Sequence, residues 1–274
     1  MATRPYITTL SLTSVLIPLY IYPAPGAWGP LYKVVATYPA QPFTVIINPH
    51  SGPGGERFPN ATYIDAIIKL KKFQNVRVIG YVHVSYGARK IEEVCQDVDR
   101  YVGWVEHIHG VEKVGIAMDG IFVDEAPADI LGKNGSDNLK YMQSLRSRIL
   151  KRFRGIAKDG FTMTNPGIIA DKQFYEFADA VVSFEDRLAN YYSPGKLQTS
   201  KDMSKSPGTA PGKQAIIVTS FDGTEARERH LLTQVVERGI GFVYFTTDSD
   251  YQNFGADLTV LVDQVARSNG LVGR

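Results

Sequence analysis

The stretch Gly120-Ile121-Phe122-Val123-Asp124-Glu125 (GIFVDE), set between Asp119 and Ala126-Pro127, decides the fold of this 274-residue chain. It is a short apolar run, closed by proline, that ends on two adjacent carboxylates. A run this continuously apolar reads as a strand covered on both faces, as in a parallel sheet wrapped by helices. Seven further runs of the same kind occur: Val15–Tyr22, Phe43–Asn48, Val76–Val84, Phe161–Thr164, Ala180–Glu185, Ala215–Phe221 and Gly241–Thr246. Between them lies helical spacing, clearest over Tyr63–Phe73, Ala88–His107, Asn138–Phe153, Glu225–Arg238 and Leu258–Arg267. Eight buried strands alternating with amphipathic helices predict an α/β fold of one domain, the (β/α)8 or TIM barrel. An open doubly wound sheet is the rival, but no Gly-x-Gly-x-x-Gly turn follows the first strand. The barrel domain is read as residues 14–274, with residues 1–13 a leader or an extraneous segment.

Composition narrows the function classes. Hydrophobic residues make up 44% and charged residues 21%, the balance of a chain that buries a core. A net charge of +2 and the lack of a long basic stripe give no case for nucleic acid. The 15 Tyr and 13 Phe offer flat faces and hydroxyls to a polar ligand such as a sugar. Cys95 is the one cysteine, so no internal disulfide is expected. The uncharged span from Pro5 to Tyr32 is broken by Pro18, Pro23 and Pro25, which argues against an anchor. Any true targeting segment is expected to lie outside this chain. No large unaccounted apolar face emerges, and a monomer is expected.

Barrels carry their chemistry at the carboxyl ends of strands. Those ends supply Tyr22, Asn48, His50, His83, Tyr86, Asp124, Glu125, Asn165, Glu185 and Ser220, with Asp222, Asp248 and Asp250 beyond. Alternation along GIFVDE sends Gly120, Phe122 and Asp124 to one side, read as the barrel centre, and leaves Glu125 to open the loop or brace a neighbour. A helix cap or solvated turn is the plain alternative for the pair. Glu185 closes AVVSFE two strands later, which places it about 5–9 Å from the fourth-strand acid. Two opposed carboxylates are what glycoside hydrolysis requires. The plain alternative for Glu185 is a salt bridge to Arg187 or Arg154. His107 and His109 lack a third ligand and Asp248-Ser249-Asp250 lacks the glycine and closing glutamate of a calcium loop, so neither a metal nor any other cofactor is expected. The irregular Ser193–Lys213 stretch reads as a loop over the mouth, its Lys196, Lys201, Lys205 and Lys213 as solubilising charges.

The blocks IPLYIYPAPGAW, VIINPHSGPG, DGIFVDE, TNPG and VVSFE together resemble the spherulin-4, or spherulation-specific family 4, proteins, over roughly Ile17 to Val265. The family includes fungal glycoside hydrolase family 135, endo-acting α-1,4-N-acetylgalactosaminidases that cleave galactosaminogalactan in biofilm matrix. The resemblance implies a (β/α)8 barrel, a polysaccharide of N-acetylgalactosamine and galactose as partner, and an extracellular or cell-surface location. It places the family's acidic trio on Asp124, Glu125 and Glu185. For a retaining enzyme the roles become nucleophile for Asp124, general acid then base for Glu185, and substrate binding or pKa tuning for Glu125; exchange of Asp124 and Glu125 is the alternative. The substrate-binding candidates are Tyr22, Asn48, His50, His83, Tyr86, Asn165 and Ser220.

Other classes stand beside this reading. A carbohydrate-binding barrel without turnover and a glycosidase for another α-linked polymer fit the same strand ends. An aldolase or metal-dependent barrel would need an inward lysine or a ligand set, and neither is visible.

Overall fold

The computed structural model describes residues 12–109, 114–132, 137–156, 160–191 and 210–273. Its strands are β1 (Ser14–Leu19), β2 (Phe43–Ile47), β3 (Val76–His83), β4 (Ile108–His109), β5 (Val114–Gly115), β6 (Gly120–Asp124), β7 (Phe161–Thr164), β8 (Ala180–Arg187), β9 (Gln214–Thr219) and β10 (Phe242–Phe245). Eight of them close in the order β1-β10-β9-β8-β7-β6-β3-β2, every pairing parallel and β1 bonded to both β10 and β2. This is the (β/α)8 barrel. The helices between are α1 (Gly29–Thr37), α2 (Ala61–Lys71), α3 (Ile91–Gly103), α4 (Asn138–Phe153), α5 (Leu188–Tyr191), α6 (Glu225–Glu237) and α7 (Leu258–Ser268).

Register identifies the inner face. Tyr81 pairs with Phe122 and His83 with Asp124, while Gly120 pairs with Phe161. Side chains paired in register share a side of the sheet. The Phe161 ring touches Phe242 on β10, three strands away, with centroids 5.8 Å apart. Only the barrel interior permits that contact, so Phe122 and Asp124 point inward, as alternation along GIFVDE predicts. Ile121 and Val123 face the helices and are wholly buried.

Local chemistry explains where the elements depart from expectation. β1 stops at Leu19, short of the expected Tyr22, because the chain turns there with Tyr20 N donating to Pro18 O. The helix expected from Ala88 begins at Ile91, since Ser85 and Tyr86 hold left-handed backbone just before it. It ends at Gly103 in a 3-10 turn, Trp104–Glu106, and the short antiparallel β4–β5 pair follows outside the barrel. α1 was not anticipated; Pro30 sits in its first turn and Leu31, Val34 and Val35 form its buried stripe. Of the Ser193–Lys213 stretch, 193–209 lie outside the described residues, and with them Lys196, Lys201 and Lys205. Lys213 is not a free surface charge: its Nζ donates to Tyr175 O at 2.9 Å and to Ala178 O at 3.0 Å.

The two ends of the barrel differ. A hollow of about 960 Å³ opens at the amino ends of the strands, lined by Phe43, Arg77, Asp119, Phe161, Asp179 and Phe242. None of Asp124, Glu125 and Glu185 lines it, and in barrels of this architecture the amino end of the strands serves stability. Arg77 lies over the Phe161 ring at 4.1 Å within it.

Between α6 and α7, Glu228 is 3% exposed and Asp257 8%, and each has a carboxylate oxygen without a hydrogen-bond partner. Burial, reinforced by the charges of Asp257 and Glu225 against a weaker opposing pull from Arg229, pushes the Glu228 carboxyl up from 4.5 to about 7. The folded protein therefore holds a proton there that the unfolded chain releases. The stability it contributes is fully present below about pH 4.5 and is lost as pH rises through about 7. Glu228→Gln should melt higher than the parent at pH 8, by roughly 3–6 °C, with the gap closing toward pH 4.5; thermal melts across that range measure it. A constant gap at every pH would exclude titration of Glu228 as the cause.

Candidate active site

One dihedral separates the two acids of GIFVDE. Asp124 keeps strand geometry, whereas Glu125 has φ of 51°, a left-handed conformation uncommon for a residue with a Cβ. The turn is held from both sides: Tyr86 N donates to Glu125 O at 2.7 Å, and Ala126 N to Asn165 O at 2.9 Å. As a result the Glu125 carboxylate lies over the neighbouring β3–α3 loop. Its Oε2 accepts from Ser85 Oγ at 3.2 Å and sits 3.6 Å from His83 Nδ1. Among the described residues the other left-handed non-glycine residues are Ser51, Ser85, Tyr86 and Ser220, all of them beyond the carboxyl ends of β2, β3 and β9. Such conformations cost about 1–3 kcal/mol each and cluster at functional sites.

Glu185 reaches the same space through a bulge. On β8, Val182 pairs with Ala215 but Phe184 with Ile216, leaving Ser183 as the extra residue, and Glu185 then pairs with Ile217. Plain alternation would group Glu185 with Val181 and Ser183; the bulge moves it to the side of Val182. Ser183 is buried and its Oγ donates to Gln214 Oε1 at 2.7 Å.

Asn165, the first residue past β7, joins the two carboxylates. Its Nδ2 donates to Asp124 Oδ1 at 2.8 Å and also to Glu185 Oε2. Two hydrogen bonds meeting on one nitrogen hold those oxygens within about 6 Å of each other. Asn165 is itself 7% exposed and anchored, with Oδ1 accepting from Gly167 N at 2.9 Å. Each acid also receives a phenol, Tyr81 Oη to Asp124 Oδ2 at 2.7 Å and Tyr251 Oη to Glu185 Oε1, and Asp124 accepts from the Glu125 backbone as well. Tyr20 stands edge-on between these phenols, its ring centroid 5.6 Å from that of Tyr81 and 5.4 Å from that of Tyr251. Among the described residues no arginine or lysine pairs with Asp124 or Glu185, so the expected alternative of a salt bridge from Glu185 to Arg187 or Arg154 is replaced by Tyr251 and Asn165.

Burial pushes both carboxyls above their ordinary values. For Asp124 desolvation dominates, opposed by the hydrogen bonds from Tyr81, the Glu125 backbone and Asn165. For Glu185 desolvation again leads, Tyr251 and Asn165 oppose it, and the charge of Asp124 adds to the rise. The phenols move upward as well, Tyr81 and Tyr251 chiefly by desolvation and then by the carboxylates they serve. They stay protonated and act as fixed donors.

The structure thus gathers Asp124, Glu125, Glu185, Asn165 and His83 at one place. Tyr86 is 63% exposed at its rim. Ser220 closes β9 with its N donating to Asp248 O at 2.9 Å. Asn48 uses its side-chain oxygen on Gly52 N at 2.9 Å and so shapes its own loop. Tyr22 and His50 line a separate hollow above β1 and β2 that none of the three acids lines. Sequence reading missed Tyr20, Tyr81 and Tyr251. Tyr81 shares the inward side of β3 with His83, a signal that alternation carries; Tyr251 comes from an irregular loop and gives none. Among the described residues no group of three or more His, Cys, Asp or Glu could hold a metal ion, and no helix is long and apolar enough to cross a membrane.

Comparison with known proteins adds to this geometry. The family model of "Spherulation-specific family 4" matches residues 14–265. Spherulin-4 of Physarum polycephalum is 30% identical over 178 residues, a match that covers 64% of this chain but only 46% of that protein. The crystal structure of Aspergillus clavatus Sph3 in complex with GalNAc superposes with a TM-score of 0.79 at 30% identity, covering 93% of this chain and 98% of that one. A GH18 chitinase from Pseudoalteromonas aurantia shares the fold alone, with a TM-score of 0.58 at 14% identity over 93% of this chain and all of its own.

Because Asn165 lowers both carboxyl pKa values, Asn165→Ala should move both to higher pH together. Carbon-detected NMR titration of the Asp124 and Glu185 carboxyls measures this, and displacement of only one midpoint would contradict a shared donor.

Proposed function

The chain belongs to spherulation-specific family 4, and on that premise we propose that it is an endo-acting, retaining glycoside hydrolase that cleaves α-1,4-linked N-acetylgalactosamine in a galactosaminogalactan-type exopolysaccharide. The observation that carries the reading is the pair Asp124 and Glu185 held by one amide nitrogen. Their spacing suits the retaining arrangement of about 5–5.5 Å between carboxyls better than the inverting one of about 6.5–9.5 Å. The GalNAc in the related Sph3 barrel supports the choice of sugar. Since such a polymer is met outside the cell, an extracellular or cell-surface location belongs to the same proposal.

The electrostatics support one division of labour. Burial and then the charge of Asp124 raise the Glu185 carboxyl, which supports Glu185 as the acid and Asp124 as the nucleophile. In the first step Glu185 gives its proton to the glycosidic oxygen, the bond from that oxygen to the anomeric carbon breaks, and Asp124 forms an ester with that carbon. In the second, Glu185 takes a proton from water as the water oxygen attacks the same carbon and frees Asp124. Asn165, Tyr81 and Tyr251 hold both carboxyls in place throughout. Glu125, turned onto Ser85 and His83, binds substrate at the rim of this pair. In the alternative assignment Glu125 attacks, but its carboxylate is directed away from the shared amide.

Incubation with purified galactosaminogalactan should release oligosaccharides whose first-formed reducing ends keep the α configuration by proton NMR. Glu185→Gln should lower kcat/KM by about 10²–10⁴-fold while polymer binding persists. Inverted product, or full activity in that variant, would overturn the assignment. The acid limb of the pH–rate profile should follow Asp124 and the alkaline limb Glu185, both displaced upward from ordinary carboxylate values.

A further inference from the structure

The hollow above β1 and β2, of about 240 Å³, is lined by Tyr22, His50, Glu56, Phe58, Asn60 and Tyr63 among others and takes no part in the acid cluster. We propose that it is a distal subsite for one more sugar ring of the polymer, so that the polysaccharide crosses the mouth from the acids toward β1 and β2. The inference rests on the hydrolase reading above and names where the rest of its substrate lies.

Position comes first. Tyr22 follows the end of β1 by three residues, His50 follows the end of β2 by three, Asn60 caps α2 by accepting from Tyr63 N, and Tyr63 belongs to its first turn. All are at the end of the barrel that bears the acids. In the closed order β1 stands four strands from β7, directly across the mouth from Asn165. Aromatic residues lead from the acids toward this segment. Tyr81 and Tyr251, the donors to the two acids, flank Tyr20, and Tyr22 is two residues further along the same segment. A chain seated on the acids and extended over Tyr20 arrives at Tyr22.

The hollow is built to present a ring face. Tyr22 is 51% exposed, yet its ring packs edge-on against Tyr63, with centroids 5.6 Å apart at 85°. Tyr63 is buried and in turn packs edge-on against Trp28. Trp28 Nε1 donates to Ile21 O at 2.9 Å, pinning the residue between Tyr20 and Tyr22. An exposed aromatic ring fixed by packing offers contact area with little rotamer entropy left to lose. Opposite it, the loop carrying His50 is set by left-handed Ser51, by Gly52 N on Asn48 Oδ1 and by His50 N on Gly52 O at 3.1 Å.

Size and charge select the occupant. Drug-sized ligands occupy about 300–1,000 Å³, so 240 Å³ suits a single pyranose. Glu56 lines the hollow and no arginine or lysine among the described residues does. A neutral or amine-bearing sugar fits that lining; a uronic acid or a phosphorylated ring does not.

The test uses the full chain and a half-exposed side chain whose truncation opens no core. In Tyr22→Ala, the ratio of kcat/KM on long galactosaminogalactan to kcat/KM on the shortest oligosaccharide cleaved should fall about tenfold, chiefly through KM on the polymer, while Tyr22→Phe should keep the ratio. An unchanged ratio in Tyr22→Ala would overturn the subsite. Affinity electrophoresis in gels containing the same polymer, with Glu185→Gln as the non-turning-over background, separates this inference from the hydrolase reading. Weaker retardation on adding Tyr22→Ala supports the subsite even if the wild type cleaves nothing, in which case only the hydrolase reading falls. Equal retardation, or none in either protein, rejects the subsite whatever the activity.

Discussion

Two carboxylates drawn out of water onto one amide nitrogen form the constraint on which the mouth of this barrel depends. Each acid would by itself resist burial, and no cation among the described residues offsets it. Neutral donors do the work instead: the Asn165 amide shared by both, and one tyrosine for each. That solution fixes much else. Asn165 must prolong β7, with its N on Val123 O and its O under Ala126 N, so that the amide stands between β6 and β8. Tyr81 must lie on the inward side of β3, two residues before His83, and the loop after β10 must fold back to deliver Tyr251. Neutral donors favour the ionised forms without cancelling the effect of burial, which leaves both acids within reach of proton exchange.

Backbone strain is distributed in the same way. The left-handed non-glycine residues of the described structure all lie at the carboxyl end of the barrel, and the one at Glu125 has the clearest purpose. It turns two neighbours in sequence into groups with separate surroundings. Asp124 enters the interior under Tyr81 and Asn165, while Glu125 meets Ser85 and His83 on the adjoining loop. At the amino end, by contrast, Asp119 accepts from Val78 N and Asp179 from Thr162 N, tying each strand to its surroundings. The charged groups there serve closure of the barrel.

Much of this was legible in the sequence, and the reasons differ by element. Alternation in GIFVDE gave the inward side of Asp124, because β6 is regular up to that residue and buried on both faces. The barrel itself could be read because its eight apolar runs are separated by helical spacing long enough to cover them. Glu185 was placed at the right strand end, but the bulge that aims it was invisible, since nothing in AVVSFE marks Ser183 as unpaired. Tyr251 and the β4–β5 pair lie in segments whose form is set by tertiary contacts and not by periodicity. Tyr22 and His50 were read as ligand contacts from their strand ends alone; the pattern of strand ends holds no information on which sector of the mouth each one faces.

The bulge on β8 has a consequence for how this protein tolerates change. Side-chain identity at Ser183 influences only local hydrogen bonds, to Gln214 and Val181, but the presence of a residue there sets the parity of everything that follows on the strand. Removing one position would rotate Glu185 by half a turn, away from Asn165 and Asp124 and toward the surrounding helices, without altering the chemistry of any side chain. Strand length at this point is a selector in its own right, and relatives aligned across it with a gap would have lost the orientation of the carboxyl even where the glutamate letter survives.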